Sequence, residues 1–440
     1  MQKFARIWNR RDFLHILRYG DRGSPVSLLQ KGLSRAGYST AVDGIFGRDT
    51  EEKLRRFQRS AGLAADGMAG GATEAALAPF YRGYTVHVLR PGDTLWSLAG
   101  RYDSRLALLE SANPGLDPFR LPVGQRITVP FAFPVVPEDV PVSDTLLRYC
   151  IEGLAARYPF LRTEIYGESV LGRPLRALSF GEGARQVIFT AAHHANEWIT
   201  TLLLLRYAEA LAEGLIGGGD VGGVSAETLF ERCRITLLPL VNPDGADLVT
   251  GALTESEALL PASLAAAYPS VPFPEGWKAN LHGVDLNLQY PADWDEARRV
   301  KFAQGFDRPG PRDFVGRSPL CAPESRAVYE LTERLDPALT LSFHTQGEVI
   351  YWKFGDREAP GSRALGERLA RLSGYPLEDV PYASSFAGYK DWFLLRYDRP
   401  GFTVEAGRGE NPLPLAQLPA LQRRCFPLMT AAALGEEGEE

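Results

Sequence analysis

The sequence predicts a multidomain chain: a small helical bundle, a small α+β unit, and a large α/β domain with a central mixed sheet. Three observations predict it. An Asp-Gly turn recurs after 23 residues near the N-terminus, in Asp43-Gly44 and Asp66-Gly67. The segment 84–130 orders its patterns as strand, helix, helix, strand. Beyond a proline-rich stretch, apolar strand-like runs alternate with amphipathic helical ones, the pattern of helices laid on a sheet. A length of 440 residues leaves room for these three units.

The bundle spans 16–80. Ser24-Pro25 reads as an N-cap and a first-turn proline, Val26, Leu29 and Leu33 follow at helical spacing, and Gly37 stops the helix. The repeated turns are Asp43-Gly44-Ile45-Phe46-Gly47 with Thr50 and Asp66-Gly67-Met68-Ala69-Gly70 with Thr73. Glycine accepts the positive φ of such turns, and each threonine is placed to cap the helix that follows. Thr50 to Gln58 reads as a second amphipathic helix. This arrangement resembles the helical peptidoglycan-binding domain of wall-lytic enzymes. Residues 1–60 carry 13 Lys/Arg against 6 Asp/Glu, a surplus of seven that suits an anionic polymer or a solvated helical surface. No nucleic-acid motif accompanies that charge, so the reading excludes nucleic acid as a partner.

The second unit, 84–130, opens on an alternating strand at Tyr84–Val88. Pro91-Gly92 turns the chain, and Asp93 is placed to cap a helix with Leu95, Leu98 and Tyr102 inward. A second helix, Leu106–Ala112, ends at Asn113-Pro114, and Gln125–Val129 supplies another strand. The strings PGDTLW and ANP in these positions resemble a LysM domain. That resemblance implies binding of N-acetylglucosamine-containing glycans at the turn and at the loop around Asn113. Trp96 and Leu98 read as core.

Residues 131–143, rich in proline, read as a linker stiffened toward polyproline geometry. The third unit, 144–435, places strands at Gln186–Ala192, Ile235–Val241, Leu339–Trp352 and Gly401–Ala406. Its helices are expected at Ala195–Glu213, Pro323–Leu335, Ser362–Leu372 and Leu418–Leu434. The acidic end, Glu436–Glu440, is too charged and short to pack.

Six histidines occur, two of them adjacent in VIFTAAHHANEWIT. His194 and Glu197 are three apart at a strand end and helix start, where imidazole and carboxylate converge on one face. His193 is the rival, at HxxxE spacing. The blocks HHANEWIT, LVNPDG, WKANLHGVDLN, GRSPLCAPES, LSFHTQGEVIYW, AGYKDW and FTVEAG follow in order. Together they resemble the zinc carboxypeptidase family over nearly all of 145–435, and within it the bacterial γ-D-glutamyl-L-diamino acid endopeptidases, which join wall-binding modules to a peptidase.

The resemblance implies one Zn2+ per chain held by His194, Glu197 and His344, three ligands that leave a position open as catalytic zinc sites do. It makes Glu405 the general base and acid and Asp285 the carboxylate that orients a zinc-bound imidazole. Lys278 stands where the family usually has an oxyanion-steadying arginine, and it supplies a charge without the planar fork. Asn287 matches an asparagine that holds substrate, but the arginine that normally follows it is Leu288. Tyr382, or alternatively Tyr389, is the active-site tyrosine, and Arg317 is a further cation for substrate. The implied activity is hydrolysis of the γ-D-glutamyl–diamino acid bond of peptidoglycan stem peptides. The other readings are a carboxypeptidase for ordinary peptides and a non-catalytic glycan binder. Retention of all three metal-type residues with Glu405 argues against the last.

Composition sets the remaining bounds. No apolar run reaches the ~18 residues of a membrane span, so no membrane partner is expected. The first twenty residues lack the h-region of a signal peptide, which implies synthesis in the cytoplasm, with action on cell wall or muropeptides. Four scattered cysteines without a CxxC read as reduced thiols.

Overall fold

A computed structural model of the chain describes residues 16–435; the N-terminal residues 1–15 and the expected acidic tail lie outside them. Among the described residues no helix is long and apolar enough to cross a membrane.

Three helices, Ser24–Arg35, Arg48–Ser60 and Gly71–Arg82, form the N-terminal bundle around Val26, Leu33, Leu54, Phe57 and Leu77. The internal echo is a hydrogen-bond motif. The buried Gln30 amide donates to Asp43, the Ile45 carbonyl and Thr50, and its carbonyl accepts from Gly44 N–H. Gln58 repeats this with Asp66, Met68, Thr73 and Gly67. Capping differs from expectation. Gly23, Gly47 and Gly70 occupy the N-cap positions, and Ser24 lies inside its helix. Thr50 and Thr73 sit within the first turn, where their hydroxyls face the buried glutamines.

The second unit pairs Tyr84–Val88 antiparallel with Arg126–Pro130 and packs helices Leu95–Arg101 and Leu106–Ala112 beside them. Thr94, not Asp93, is the N-cap, in a capping box with Ser97. Asp93 instead accepts from Arg90 N–H and meets His87 at 2.8 Å. Leu98 is buried as expected, but Trp96 is 80 % exposed: it lies on the outer face of its helix. Asn113 is spent on bracing its loop against Leu109 and Thr128.

The third unit holds an eight-stranded mixed sheet. Its order is Leu377–Glu378, Val349–Tyr351, Gly401–Ala406, Leu339–Thr345, Arg185–Ala191, Cys233–Leu238, Pro174–Phe180 and Arg162–Glu168. The central four, from Gly401–Ala406 to Cys233–Leu238, are mutually parallel; Val349–Tyr351 and Pro174–Phe180 join them antiparallel, and Leu377–Glu378 adds parallel to the first and Arg162–Glu168 antiparallel to the second. Strand periodicity divides the core. Val187 and Phe189 join one cluster with Leu202 and Leu428, while Ile188 joins another with Val328, Leu331 and Phe393. Helices therefore cover both faces, and Leu339–Thr345 is buried along its whole length. The run expected as one strand, Leu339–Trp352, is broken at Gln346-Gly347-Glu348, all at positive φ, and Val349–Tyr351 returns antiparallel to Gly401–Ala406.

The proline-rich segment is packed. Val135, Val136, Val140 and Val142 are at most 1 % exposed. Glu209, buried on helix Ile199–Gly217, accepts Val135 N–H at 2.6 Å and Val136 N–H at 3.2 Å. Arg157, 0 % exposed, donates to the carbonyls of Gly83, Phe131 and Phe133. Charged groups buried in this way need such partners, and here they bind the segment to the peptidase-type unit.

Candidate active site

The site lies at the carboxyl ends of the central parallel strands, where open α/β sheets place ligands. Strand Arg185–Ala191 runs through Ala192 to His193 and His194. A 3-10 turn at Ala195–Glu197 follows, and then the long helix Ile199–Gly217. The expected single helix from Ala195 is thus split, and the tight turn brings Glu197 back beneath His194. His344 arrives from the carboxyl end of strand Leu339–Thr345, with Glu405 directly beside it in register on the neighbouring parallel strand.

The geometry is compact. His194 Nδ1 lies 3.0 Å from Glu197 Oε1, and His344 Nδ1 lies 2.9 Å from Glu197 Oε2. The two Nδ1 atoms are 3.2 Å apart. On its far side, His194 Nε2 faces Asp285 Oδ1 at 3.2 Å. In the neutral, ligating form of His194 the proton sits on Nε2 toward Asp285, which only accepts, and Nδ1 keeps a lone pair. That lone pair points at carboxylate oxygen and at a second imidazole nitrogen, an arrangement that a cation between them relieves. Nitrogen and oxygen ligands at ~2.0–2.1 Å in tetrahedral geometry stand about 3.3 Å apart, close to the spacings here. These three residues form the group among the described residues that could hold a metal ion.

Charges around the trio are unbalanced in a directed way. Burial would lift Glu197, but the Lys278 ammonium and His194 hold it well below the usual carboxylate range. Lys278 Nζ is 2.9 Å from Glu197 Oε1. Burial would lower His194, yet Glu197 and Asp285 raise it to about 9. Glu405 moves the other way: burial and then the negative charge of Glu197 push it up to about 8.

The remaining sequence-derived residues divide. Asp285 is at the site, its Oδ2 accepting Asp313 N–H. Asn287 gives its side-chain oxygen to Tyr389 N–H, which leaves its amide N–H groups as donors. His193 turns away: it is fully buried, with Nε2 on Tyr290 Oη and its ring stacked on Tyr389. Tyr389 is itself a core residue, its hydroxyl on Thr332. Tyr382 is 61 % exposed and its hydroxyl meets Glu296 and Arg299. Arg317 is exposed and joins none of the hydrogen bonds of the trio.

Two nearby residues escaped the sequence reading. Asn411 Nδ2 reaches Glu197 Oε1 at 3.5 Å while its oxygen accepts from Thr345. Arg312 lies in the stretch PGPRDF, and its guanidinium is within the field of Asp313, Asp285 and Glu197. Neither belongs to a patterned segment, and only the Pro after Asn411 hints at a fixed loop.

Comparison with known proteins places this geometry. The zinc carboxypeptidase family profile matches residues 147–420, a peptidoglycan binding domain matches 22–77, and a LysM domain matches 87–130. The chain is 38 % identical over 396 residues to γ-D-glutamyl-L-diamino acid endopeptidase 1 of Lysinibacillus sphaericus, covering 78 % of this chain and 98 % of that one. It is 28 % identical over 230 residues to murein peptide amidase A of Escherichia coli, covering 49 % of this chain and 69 % of the relative. Among solved structures, thrombin-activatable fibrinolysis inhibitor superposes with a TM-score of 0.53 at 18 % identity, over 67 % of this chain and 74 % of that one, which is a likeness of fold. With His194, Glu197 and His344 converging at the strand ends of a domain matched from 147 to 420, the chain belongs to the zinc carboxypeptidase family and is a metallopeptidase.

Proposed function

We propose that this metallopeptidase hydrolyses the γ-D-glutamyl–diamino acid bond of peptidoglycan stem peptides. The observation that carries the reading is the joining, in one packed chain, of a peptidase domain to two modules of wall-binding families, an organisation that matches nearly the full length of a γ-D-glutamyl-diamino acid endopeptidase. The bundle and the LysM unit bind glycan strands and hold the enzyme on the wall, where tandem modules raise effective concentration.

In this reading His194, Glu197 and His344 hold one Zn2+, and Asp285 fixes the tautomer and orientation of His194. Zinc held by these three residues would supply a Lewis acid for the scissile carbonyl and the attacking water. Glu405 accepts a proton from the attacking water and returns it to the leaving nitrogen of the diamino acid. Lys278 places its ammonium by the developing oxyanion. Asn287 offers its amide hydrogens to substrate, and Tyr382 and Arg317 keep the substrate-binding roles that the family resemblance implies. Leu288 argues against the alternative, a carboxypeptidase of ordinary peptides, because a buried terminal carboxylate needs a cation there.

Mass spectrometry of defined muropeptides after incubation with the zinc-loaded protein tests the proposal. L-Ala-D-Glu released from stem peptides is the expected product. Release of free C-terminal residues from blocked dipeptides at equal or greater rates would overturn it.

A further inference from the structure

A γ-linked D-glutamate differs from any ordinary peptide residue in one respect: its α-carboxylate is free and lies a short methylene chain from the scissile carbonyl. An enzyme for that bond meets a negative charge beside its oxyanion pocket. Position 288 serves the carboxylate of the leaving residue, so a separate cation on the acyl side must receive this one.

The segment Pro311–Phe314 supplies one. It is threaded between two site residues: the Pro311 carbonyl accepts Lys278 N–H at 2.7 Å and Ala279 N–H at 2.9 Å, and the Phe314 carbonyl accepts Asp285 N–H at 2.9 Å. Asp313 N–H donates to Asp285 Oδ2 at 3.1 Å. Arg312 therefore stands between the residue at the oxyanion position and the carboxylate that orients His194. Its side chain is 42 % exposed, open to an incoming ligand.

Its guanidinium is held at one end. Arg312 Nε donates to Asp313 Oδ2 at 2.7 Å, and the other oxygen of Asp313 accepts the buried Lys301 ammonium at 2.6 Å. Asp313 adopts φ +62°, a left-handed conformation that is unfavourable for a non-glycine residue and persists where surroundings over-determine it. Two ion pairs and the bond to Asp285 do that here. Among the described residues the two Nη groups of Arg312 donate no hydrogen bond, which leaves a preorganised fork of the kind that grips a carboxylate.

We propose that Arg312 is a substrate-binding residue that receives the α-carboxylate of the γ-linked D-glutamate, so that the preferred substrates are stem peptides in which this group is not amidated. The inference rests on the bond assignment made above and deepens it.

The test compares kcat/KM on three synthetic peptides, L-Ala-γ-D-Glu-diaminopimelate, its D-isoglutamine analogue and L-Ala-γ-D-Glu-L-Lys, for the wild type, Arg312→Gln and Arg312→Lys, all zinc-loaded and matched for thermal unfolding. A charge-assisted bond predicts that the wild type prefers D-Glu to D-isoglutamine by about ten- to a hundredfold. Arg312→Gln should reduce that preference to within about threefold by slowing the D-Glu peptide alone, with Arg312→Lys between. Undiminished discrimination in Arg312→Gln overturns the proposal. Loss of discrimination between diaminopimelate and lysine instead would place Arg312 on the diamino acid and overturn the D-glutamate assignment. A wild type that cleaves none of the three would fail at the bond assignment itself, a result distinct from either.

Discussion

Arg157 Nη1 and Glu209 Oε1 lie 3.8 Å apart with both side chains closed to water, and between them they satisfy five backbone groups of 83–136. A buried pair of this kind is destabilising to break because the survivor is left uncompensated. Glu209→Ala strips Val135 and Val136 N–H of their acceptor and leaves both Arg157 and Arg206 without their buried carboxylate. The expected cost is about 3–5 kcal/mol. Urea unfolding checks it, and a change below ~1 kcal/mol would show the strap to be incidental.

The same packing bears on truncation. Ser24 N–H donates to the Thr250 carbonyl at 2.9 Å, and Tyr81 packs on Tyr149 at a centroid distance of 5.0 Å, so the bundle rests on the peptidase domain. Deleting residues 1–130 should lower Tm by several degrees and abolish most sacculus binding, while turnover of a soluble stem peptide by the folded fraction persists. Equal sacculus pull-down by both forms would remove the anchoring role.

What was legible follows from physics local to the chain. Pro323–Leu335, Leu418–Leu434 and Gly401–Ala406 were read to the residue because their periodicity is unbroken and their ends carry Pro or Gly signals. The pairing of His194 with Glu197 was legible from spacing, while His344 needed the surrounding blocks, since a lone strand histidine has no local signature. The caps at Gly23, Gly47, Gly70 and Thr94 were misassigned by one to three positions because other partners, Thr250, Gln30, Gln58 and His87, engage Ser24, Thr50, Thr73 and Asp93, the polar residues that sequence alone assigns to capping. The buried strap and the placement of the Arg312 segment were invisible for a related reason: the carboxylate that holds the strap is more than seventy residues away, and Asp285, which accepts Asp313 N–H, nearly thirty.

Metal chemistry gives a sharp division between variants. His194→Ala and His344→Ala should each lose stoichiometric zinc together with activity, since each removes one of three converging donors. Glu405→Gln should retain zinc and lose about 10²–10⁴ in kcat. Metal analysis showing full zinc in both histidine variants would sink the ligand set, and a Glu405→Gln rate within tenfold of wild type would require another base.

Glu324 offers a test of pH dependence away from the metal trio. It is fully buried and accepts from Val170 N–H and the Asn280 amide, and burial pushes its carboxyl up to about 7 despite those bonds. A folded value above the unfolded one means that its contribution is fully present below pH ~4.5 and is lost as pH rises through about 7. The wild type should therefore lose up to about 3 kcal/mol relative to Glu324→Gln between pH 5 and 8. Thermal unfolding of both proteins across that range measures the difference, and a pH-independent gap would refute it.

Specificity turns on Leu288, which is 8 % exposed and packs with Trp294, Ala297, Val315 and Ala387. With no cation in this apolar cluster, a blocked dipeptide must bury its C-terminal carboxylate unpaired there, at a cost on the order of 2–5 kcal/mol. Its kcat/KM should thus fall two to three orders of magnitude below that of a stem peptide, by roughly 1.4 kcal/mol per decade. Leu288→Arg forfeits about 1.5–3 kcal/mol of apolar burial and should lower Tm. Its aliphatic stem can still lie along Trp294 while the head emerges beside Asn287. The ratio of dipeptide to stem-peptide turnover should then rise about tenfold, a shift that charge pairing at this position produces and simple destabilisation does not. A lowered Tm with an unchanged ratio would mean that position 288 faces the core alone and that the discrimination is set elsewhere.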